Sequence, residues 1–535
     1  MMKGKDEAFD KCLSLVLCGG FVISSETGVG GLFITWFKIR VFSGVKESLE
    51  PSPKLSVFAL KPLPPIFGAG EGMWDGNGVW LGPPPRSAFL ADVGRMDVVR
   101  DAMRHAWAGY EQYAWGQDEL RPVTNVGSNW LGMGATIIDS LDTLWIMGMK
   151  SEFTRAREWV ATNFAINATG ETSVFETTIR CLGGLVAAFE LSGDEVFLEV
   201  AVSVADKLLP AFDTKSGYPL AHVDLSDHQR GATRGRRRQN VALAEIGSIQ
   251  LEFKALSRHT GDPKYYDRTH AVYNKLEQII PKDGLCPIFL NPNSGGFSGT
   301  RISLGAMGDS YYEYLIKLYL YSGRSQPQYL RMYNKSLTGI LSKLVFQSSH
   351  SNLTYVAEMQ HGSPVHKMDH LACFVPGMLG IGAMDSPNPQ HAIRVARGIT
   401  ETCFEMYARQ ASGVAPEFVK FKAPDFVNGA KYNQLRPEAL ESMFVMFRLT
   451  GDPIYREWGW KIFLAFESSC KTSSGYSGLT DVTKGNGSTT AKDDMQQSFF
   501  LAETLKYAYL LFAGGDEFPL DEYVFNTEAH PFKIP

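Results

Sequence analysis

The chain has 535 residues, of which 44% are hydrophobic and 12% aromatic, so it is long enough to bury one large core or two ordinary ones. A formal net charge of −5 gives no electrostatic reason to expect nucleic acid as a partner. The one basic run, at 234–238, is interpreted as a solvated loop rather than a localisation signal or a polyanion patch.

The first 92 residues differ in composition from the rest of the chain. Two apolar runs, at 12–24 and 28–37, are each shorter than the roughly 20 residues that a membrane-spanning helix needs. Basic residues flank them on both sides, so residues 1–40 are interpreted as a candidate signal-anchor rather than a cleaved signal peptide. Residues 41–92 are rich in proline and glycine, which predicts a stem or linker. One folded domain is predicted over 93–535.

After the linker the pattern becomes helical. Met96, Val99, Met103, Trp107 and Tyr110 recur at spacings of three or four, which predicts a helix that packs on one face.

A turn that contains glycine, usually followed by aspartate, then recurs at intervals of about 64 residues or twice that. The glycine can take the left-handed position that ends one helix, and the aspartate can cap the next. The turn glycines are Gly193, Gly261, Gly323, Gly451 and Gly515, with an earlier break at Gly148 and a further turn expected near 387. About seven helical hairpins of this kind can bury their apolar faces by closing into a ring. The sequence therefore predicts an all-α toroid, with an open helical solenoid as the alternative.

Acidic residues precede these turns, near the predicted start of each preceding helix. They are Asp139, Glu176, Glu245, Asp309, Asp369, Glu438 and Glu503. In a closed ring they would meet at one rim, where sugar hydroxyls, ordered water or a hard cation could separate the like charges. Paired carboxyl groups with aromatic neighbours suit glycoside hydrolysis, in which one protonates the leaving oxygen and another activates water. The alternative is that each acid simply favours the N-terminus of its helix.

Eight segments carry a resemblance to a known family. They lie at 139–148, 175–180, 308–315, 368–374, 415–417, 435–438, 498–506 and 525–531. From about residue 95 to residue 534 the chain resembles the class I α-1,2-mannosidases, glycoside hydrolase family 47. The resemblance implies an (α/α)7 barrel with a short C-terminal β/turn segment entering it. It also implies inverting, calcium-dependent hydrolysis of terminal α-1,2-linked mannose from high-mannose N-glycans on glycoproteins.

The resemblance also assigns roles to individual residues. Glu176 matches the general acid, acting directly or through water, and Glu438 matches the favoured general base. Asp309 and Glu417 match the other catalytic carboxylates, and Thr527 matches the calcium-binding threonine. The residues that match the lining of the mannose pocket are Arg180, His370, Arg436, Glu441, Phe499 and Glu503.

The resemblance changes the interpretation of the cysteines. By count alone, with no CxxC pair and no zinc-ligand spacing, the seven are expected to be mostly buried thiols. Cys373 and Cys403 match the family's disulfide pair, which leaves the other five as expected free thiols. Four N-glycosylation sequons permit a lumenal location without requiring it; they lie at Asn167, Asn334, Asn352 and Asn486.

Departures from the family pattern bear on the preferred mannose. Met307 stands where the endoplasmic-reticulum members tend to carry arginine, and the segment 494–498 is closer to Golgi-type members. Both favour broader trimming in the secretory-pathway lumen, in the Golgi rather than the endoplasmic reticulum, by a monomeric catalytic domain with a candidate type II membrane anchor. The stretch 229–240 matches poorly and is interpreted as a surface loop near the glycan entrance.

Three other functions compete at this level. A mannose-recognition protein of the same fold, serving quality control with little catalysis, would not need all four catalytic carboxylates. The second alternative is a different toroid enzyme, such as a glucan hydrolase or a prenyl transferase. A prenyl transferase is disfavoured because it would need zinc ligands, and the sequence shows no suitable set. A purely structural helical scaffold gives no reason for an acidic rim.

Overall fold

The computed structural model describes residues 79–164, 171–225, 240–485 and 492–535. The candidate signal-anchor, most of the predicted linker, the basic run and the sequons at Asn167 and Asn486 lie outside these ranges. In the described part, fourteen main helices alternate between an outer and an inner ring. The outer helices are α1 (Val93–Tyr113), α3 (Lys150–Asn163), α5 (Glu195–Leu208), α7 (Lys264–Ile279), α9 (Pro327–Lys343), α11 (Pro389–Ala408) and α13 (Ile454–Ser469). The inner helices are α2 (Leu141–Ile146), α4 (Gly183–Ser192), α6 (Gln250–Thr260), α8 (Asp309–Tyr321), α10 (Val375–Ile381), α12 (Glu438–Thr450) and α14 (Leu505–Phe512).

Burial separates the two rings. Inner helix α8 is buried at every position after its first residue, whereas outer helix α9 buries one face only. Helix α14 packs against α1, so the last inner helix contacts the first outer helix and the ring closes. The (α/α)7 barrel is thereby confirmed.

The turn glycines adopt the predicted left-handed conformation with one exception. Gly193 ends α4 with a φ of 70°, and Asp194 then accepts a hydrogen bond from the backbone N–H of Val196 at 3.2 Å. The glycines at 148, 261, 323 and 451 also have positive φ. The prediction for Gly515 was wrong, because this residue does not adopt a left-handed conformation. A side chain there would lie 2.0 Å from the carbonyl oxygen of Arg86, so close packing is what excludes one.

Several inner helices are extended by short segments toward the opposite end of the barrel. The added segments are Ala135–Asp139, Val174–Glu176, Leu243–Gly247 and the 3-10 turn His370–Phe374, together with π-helical turns at Thr177–Leu182 and Phe500–Thr504. The extra residue of a π-helical turn rotates the following side chains, and such turns occur frequently at functional sites.

Sixteen short strands form seven antiparallel sheets in the described residues. The strands are β1 (Glu119–Arg121), β2 (Val126–Ser128), β3 (Glu171–Ser173), β4 (His222–Asp224), β5 (Val241–Ala242), β6 (Phe289–Leu290), β7 (Phe297–Ser298), β8 (Val345–Gln347), β9 (Thr354–Val356), β10 (Glu358–Gln360), β11 (Ser363–Val365), β12 (Lys367–Asp369), β13 (Phe418–Phe421), β14 (Phe426–Asn428), β15 (Tyr523–Phe525) and β16 (Pro531–Lys533). The first fourteen lie in connections that lead from an outer helix to the next inner helix. They therefore surround the end of the barrel at which the inner helices begin.

Strands β15 and β16 form the C-terminal hairpin, in which Tyr523 pairs with Lys533 and Phe525 with Pro531. The turn of this hairpin contacts inner segments from several sides. The Asn526 side-chain amide donates to the carbonyl of Ile179 at 3.0 Å, and Lys506 Nζ donates to the carbonyl of Ala529 at 2.7 Å. These contacts confirm that a C-terminal β/turn segment enters the barrel.

Two further features concern covalent and peripheral packing. The predicted Cys373–Cys403 disulfide is present and ties the start of α10 to outer helix α11, while Cys181, Cys286 and Cys470 are free and buried. Near the end of the predicted linker, the buried Trp80 donates from its indole nitrogen to the carbonyl of Leu449 at 3.1 Å. Across the described ranges, no helix combines the length and the apolar composition needed to span a membrane.

Candidate active site

One half of the acidic rim is organised by Arg180. Its Nε donates to Glu176 Oε2 at 2.9 Å, and its Nη1 lies 3.4 Å from Asp139 Oδ2 and contacts Glu528. Arg180 comes from the π-helical turn before α4, Asp139 from the segment before α2, and Glu528 from the C-terminal hairpin. The Glu176 side chain keeps 30% of its surface exposed, so it is the member of this group that a ligand can reach.

The other half is organised by Arg436. Its Nε donates to Glu417 Oε2 at 2.6 Å, and its guanidinium also interacts electrostatically with Glu438 and Asp309. His370 joins this half, because its Nδ1 lies 2.9 Å from Glu438 Oε2. Its other ring nitrogen lies 2.7 Å from the hydroxyl of Tyr407, so the imidazole is held on both sides.

Phe499 connects the two halves. Its ring centroid lies 5.7 Å from the Arg180 guanidinium carbon and 5.9 Å from that of Arg436. Both distances are within cation–π range. The ring is only 8% exposed and lies between the arginine that holds Glu176 and the arginine that interacts with Glu438, so we call Phe499 the floor of the site.

The acids of this rim carry more negative charge than the cations around them balance. Burial, together with Glu313, Glu438 and Asp369, raises the pKa of Asp309 to about 7. Burial and neighbouring glutamates raise the pKa of Glu441 to about 8 and that of Glu503 well above its ordinary value. Because like charges repel, each of these groups would be relieved by a bound cation or a proton.

Glu438 differs from these neighbours. Burial would raise the pKa of Glu438, but the hydrogen bond with His370 and the charges of His370 and Arg436 lower it overall. This carboxyl is therefore ionised at neutral pH and able to accept a proton, while Asp309 beside it is able to hold one. Neighbouring carboxyl groups whose pKa values are pushed apart are the usual basis for separate acid and base roles.

Thr527 lies at the turn of the C-terminal hairpin and is half-buried. Its backbone N–H donates to the hydroxyl of Tyr314 at 3.3 Å, whereas within the described ranges its own hydroxyl and carbonyl oxygens have no hydrogen-bond partner. Nearby, Glu252 Oε2 is buried without a partner, although Oε1 accepts from Tyr314 and Asn526. Unpaired oxygen atoms beside surplus carboxylates fit calcium, which takes oxygen ligands.

Direct ligation by a set of acidic side chains does not fit. In the portion of the chain that the structure describes, no group of three or more His, Cys, Asp or Glu side chains could hold a metal ion. A calcium ion at this position would be held by the hydroxyl and carbonyl oxygens of Thr527, and its other ligands would come from water or substrate.

Strained backbone precedes two of the acids. Leu435 has a φ of 66° three residues before Glu438, and Met307 has a φ of 75° two residues before Asp309. For a side chain larger than glycine, a positive φ of this kind costs about 1–3 kcal/mol and persists where surrounding structure enforces it. The Met307 side chain is 49% exposed, as expected of a residue at the mouth of the site.

Every catalytic, mannose-pocket and calcium-binding residue assigned by the sequence resemblance lies in or beside these two halves or the hairpin turn, but several functional neighbours were missed. Glu528 was missed although it follows Thr527, because nothing in its local sequence indicates a contact with Arg180. Ser498 and His530 were also unassigned, and both reach Asp139: Ser498 Oγ donates to one carboxylate oxygen and His530 Nε2 lies 3.2 Å from the other. Glu245, by contrast, turns back to accept from the Ala242 backbone N–H at 2.9 Å, as the helix-terminus alternative expected.

Comparison with known proteins identifies the relatives of this chain. The family model described as Glycosyl hydrolase family 47 matches residues 102–534. Mannosyl-oligosaccharide 1,2-alpha-mannosidase MNS1 of Arabidopsis thaliana is 46% identical over 449 residues, covering 83% of this chain and 79% of that protein. The endoplasmic reticulum mannosyl-oligosaccharide 1,2-alpha-mannosidase of Rattus norvegicus is 39% identical over 501 residues, covering 91% of this chain and 73% of that protein.

Solved structures resemble this chain as well. The alpha-1,2-mannosidase from Trichoderma reesei superposes with a TM-score of 0.79 and 30% identity, covering 83% of this chain and all of that one. A D-mannose isomerase superposes with a TM-score of 0.50 at 11% identity, which reflects the shared α/α architecture alone. With the family match spanning most of its length and relatives above 40% identity, the chain belongs to glycosyl hydrolase family 47.

Proposed function

We propose that this chain hydrolyses terminal α-1,2-linked mannose residues of high-mannose N-glycans, with inversion at the anomeric carbon. The observation that carries the proposal is the convergence of Glu176, Asp309, Glu417 and Glu438 from three parts of the ring onto one rim, organised by two arginines. The names of the relatives, which are mannosyl-oligosaccharide 1,2-alpha-mannosidases, support the substrate.

In the proposed mechanism Glu438 is the general base. Its lowered pKa keeps it ionised, so it can take a proton from the water that attacks the anomeric carbon. Glu176 supplies a proton to the leaving oxygen, directly or through water, and its contact with Arg180 sets the direction of its carboxyl group. Asp309, with a pKa of about 7, is a second carboxyl group that can hold a proton at neutral pH.

The places from which these groups originate support inversion. Glu176 precedes α4 and Glu438 begins α12, so they approach the site from different parts of the ring with Phe499 between them. Inverting enzymes hold their carboxyl groups about 6.5–9.5 Å apart to admit a water molecule, whereas retaining enzymes hold them at about 5–5.5 Å. Glu438, which Phe499 separates from Glu176, is therefore suited to activating water rather than to attacking the sugar directly.

Calcium is the proposed cofactor, held by the hydroxyl and carbonyl oxygens of Thr527. When bound, it would supply positive charge to the surplus carboxylates and coordination to oxygen atoms of water and substrate. Activity should be lost in a chelator and restored by calcium, with no requirement for zinc. Full activity of metal-free protein in chelator would refute the assignment.

We also infer that the chain works in the lumen of the secretory pathway, with Golgi-type specificity. The Cys373–Cys403 disulfide suits an oxidising compartment, and the exposed Met307 occupies the position where arginine is typical of endoplasmic-reticulum members. A methionine there removes a charged hydrogen-bond donor from the mouth of the site, which suits acceptance of more than one glycan branch.

A time course on a nine-mannose N-glycan tests both the reaction and the specificity. Successive release of several mannoses is expected, with proton NMR of the earliest product detecting β-mannose before mutarotation. An α-mannose signal appearing first would overturn inversion, one resistant eight-mannose isomer would overturn the Golgi-type assignment, and no release would overturn the proposed function. Glu438→Gln protein prepared in parallel controls for contaminating glycosidases.

A further inference from the structure

Trp130 is an exposed aromatic residue fixed rigidly at the rim of the site. Trp130 is 44% exposed and lies in the connection between β2 and the segment before α2. The fully buried carboxylate of Asp118 accepts hydrogen bonds from the backbone N–H of Trp130 at 2.7 Å and from those of four more residues up to Ala135. Because the loop backbone is already ordered, a ligand that contacts the indole loses little backbone entropy on binding.

The indole is directly connected to the acid side of the site. The Arg180 guanidinium carbon lies 5.7 Å from the Trp130 ring centroid, and the same guanidinium holds Glu176 through Nε at 2.9 Å. The Trp130 side chain also interacts with the buried Glu119, which the charge of Arg180 reaches as well. Trp130 is therefore separated from the proposed general acid by one side chain.

Depth distinguishes Trp130 from the other aromatic residue that contacts Arg180. Phe499 is 8% exposed and lies on the floor, whereas Trp130 is 44% exposed and lies toward solvent. The floor residue suits the terminal mannose, which must enter completely. The sugar on the other side of the scissile bond must lie near the group that protonates the glycosidic oxygen, and closer to the mouth.

We propose that Trp130 is a stacking platform for the mannose on the leaving-group side of the scissile α-1,2 bond. The proposal rests on the proposed function, with Glu176 on the leaving-group side. A sugar ring presents a C–H face that packs against an aromatic plane, while its edge hydroxyls remain free for Arg180 and water. The platform would favour substrates in which a second mannose follows the terminal one.

The test separates the two sugar positions. We would measure kcat/KM for α-1,2-linked mannobiose and inhibition by free mannose, which occupies the terminal-mannose position as product. Trp130→Ala should lower kcat/KM for mannobiose about three- to tenfold, mainly through KM, while Trp130→Phe keeps most of it. Inhibition by mannose should be unchanged in both variants. Trp145→Phe is the matched control, since Trp145 is 41% exposed and lies at the end of α2 away from the rim.

Each other outcome is decisive. Unchanged mannobiose kinetics in Trp130→Ala would overturn the platform, and an equal loss of mannobiose turnover and mannose inhibition would show an effect through Arg180 instead and overturn it too. If Trp130→Ala fails to fold, as judged by its melting temperature, Trp130→Leu provides the same comparison. Wild-type protein that cleaves no α-1,2-mannoside would overturn the proposed function itself, and the platform with it.

Discussion

Two groups of buried charged residues meet at the C-terminal hairpin and differ in their charge balance. The hairpin-anchoring cluster consists of Asp139, Asp142, Lys506 and His530. Lys506 Nζ donates to Asp142 Oδ2 at 2.7 Å, and the His530 ring nitrogens lie 3.0 Å from Asp142 and 3.2 Å from Asp139. Burial would raise the pKa of both aspartates, but His530 and Lys506 lower that of Asp142 overall, and His530, Arg180 and Ser498 lower that of Asp139.

The acidic cluster, made up of Asp309, Glu438, Glu441 and Glu503, has no such balance. Lys317 lies 3.6 Å from Glu441 but is also paired with Glu313. Only Glu438 has a lowered pKa, and the other three are raised. A balanced buried cluster serves to hold structure, whereas an unbalanced one is completed by a proton, a cation or a substrate. This difference indicates which cluster carries out the chemistry.

The largest effect expected from breaking the acidic cluster is on turnover. Glu438→Gln should lower kcat by about 10²–10⁴-fold, because the amide cannot accept the proton of the attacking water. The protein should still fold, because the amide keeps the shape of the side chain, with a melting temperature somewhat below that of wild type because the charge favoured by His370 and Arg436 is lost. Glu457→Gln, a change in an exposed glutamate paired with Arg95, is the control and should leave kcat unaltered. A Glu438→Gln rate within about twofold of wild type would remove Glu438 from the mechanism.

Breaking the hairpin-anchoring cluster should instead cost stability. His530→Ala leaves two buried aspartates short of a partner, and removing one member of a buried charge pair costs about 3–5 kcal/mol. Glu503→Gln should cost far less in calcium-free protein, because the raised pKa of Glu503 shows that its surroundings already favour a neutral group. Chemical denaturation of both variants measures this difference. A larger loss for Glu503→Gln than for His530→Ala would contradict the distinction between the clusters.

Calcium should stabilise the protein by relieving the acidic cluster. A ligand present at 100 times its Kd stabilises the folded state by about 2.7 kcal/mol, so the melting temperature should rise on adding calcium. Thr527→Ala should remove most of that rise while leaving the melting temperature in chelator unchanged. An equal rise in melting temperature for wild type and Thr527→Ala would show that calcium binds elsewhere.

The smallest effect concerns pH. In calcium-free protein the pKa of Glu441 is raised from its ordinary 4.5 to about 8, so the folded state holds a proton that the unfolded state releases. Stability from this group is present below pH 4.5 and is lost as pH rises toward 8, by about 1–2 kcal/mol because neighbouring groups share the proton. The free energy of unfolding in chelator, measured against pH, should lose part of this slope in Glu441→Gln. An identical slope in both proteins would contradict the raised pKa.

The sequence by itself determined the features that depend on neighbouring residues. A glycine that ends a helix and an aspartate that caps the next act within a few positions, so Gly193 and Asp194 could be interpreted directly. The same holds for the placement of acids near helix starts, from which the acidic rim was predicted. The roles of Thr527 and of the Cys373–Cys403 pair came from the family resemblance instead, since no local pattern indicates either.

Only the tertiary structure decided which charges are balanced. Arg180 and Glu528 lie 348 positions apart, and Asp142 and His530 lie 388 apart, so their contacts exist only once the ring closes around the hairpin. The left-handed backbone at Leu435 and the platform position of Trp130 likewise depend on packing from distant segments. Gly515 shows the limit of local interpretation, because a side chain there is excluded by the carbonyl of Arg86 and not by a left-handed backbone conformation. Local rules set the helices and caps, while the pairing of charges required a folded barrel to bring distant residues together.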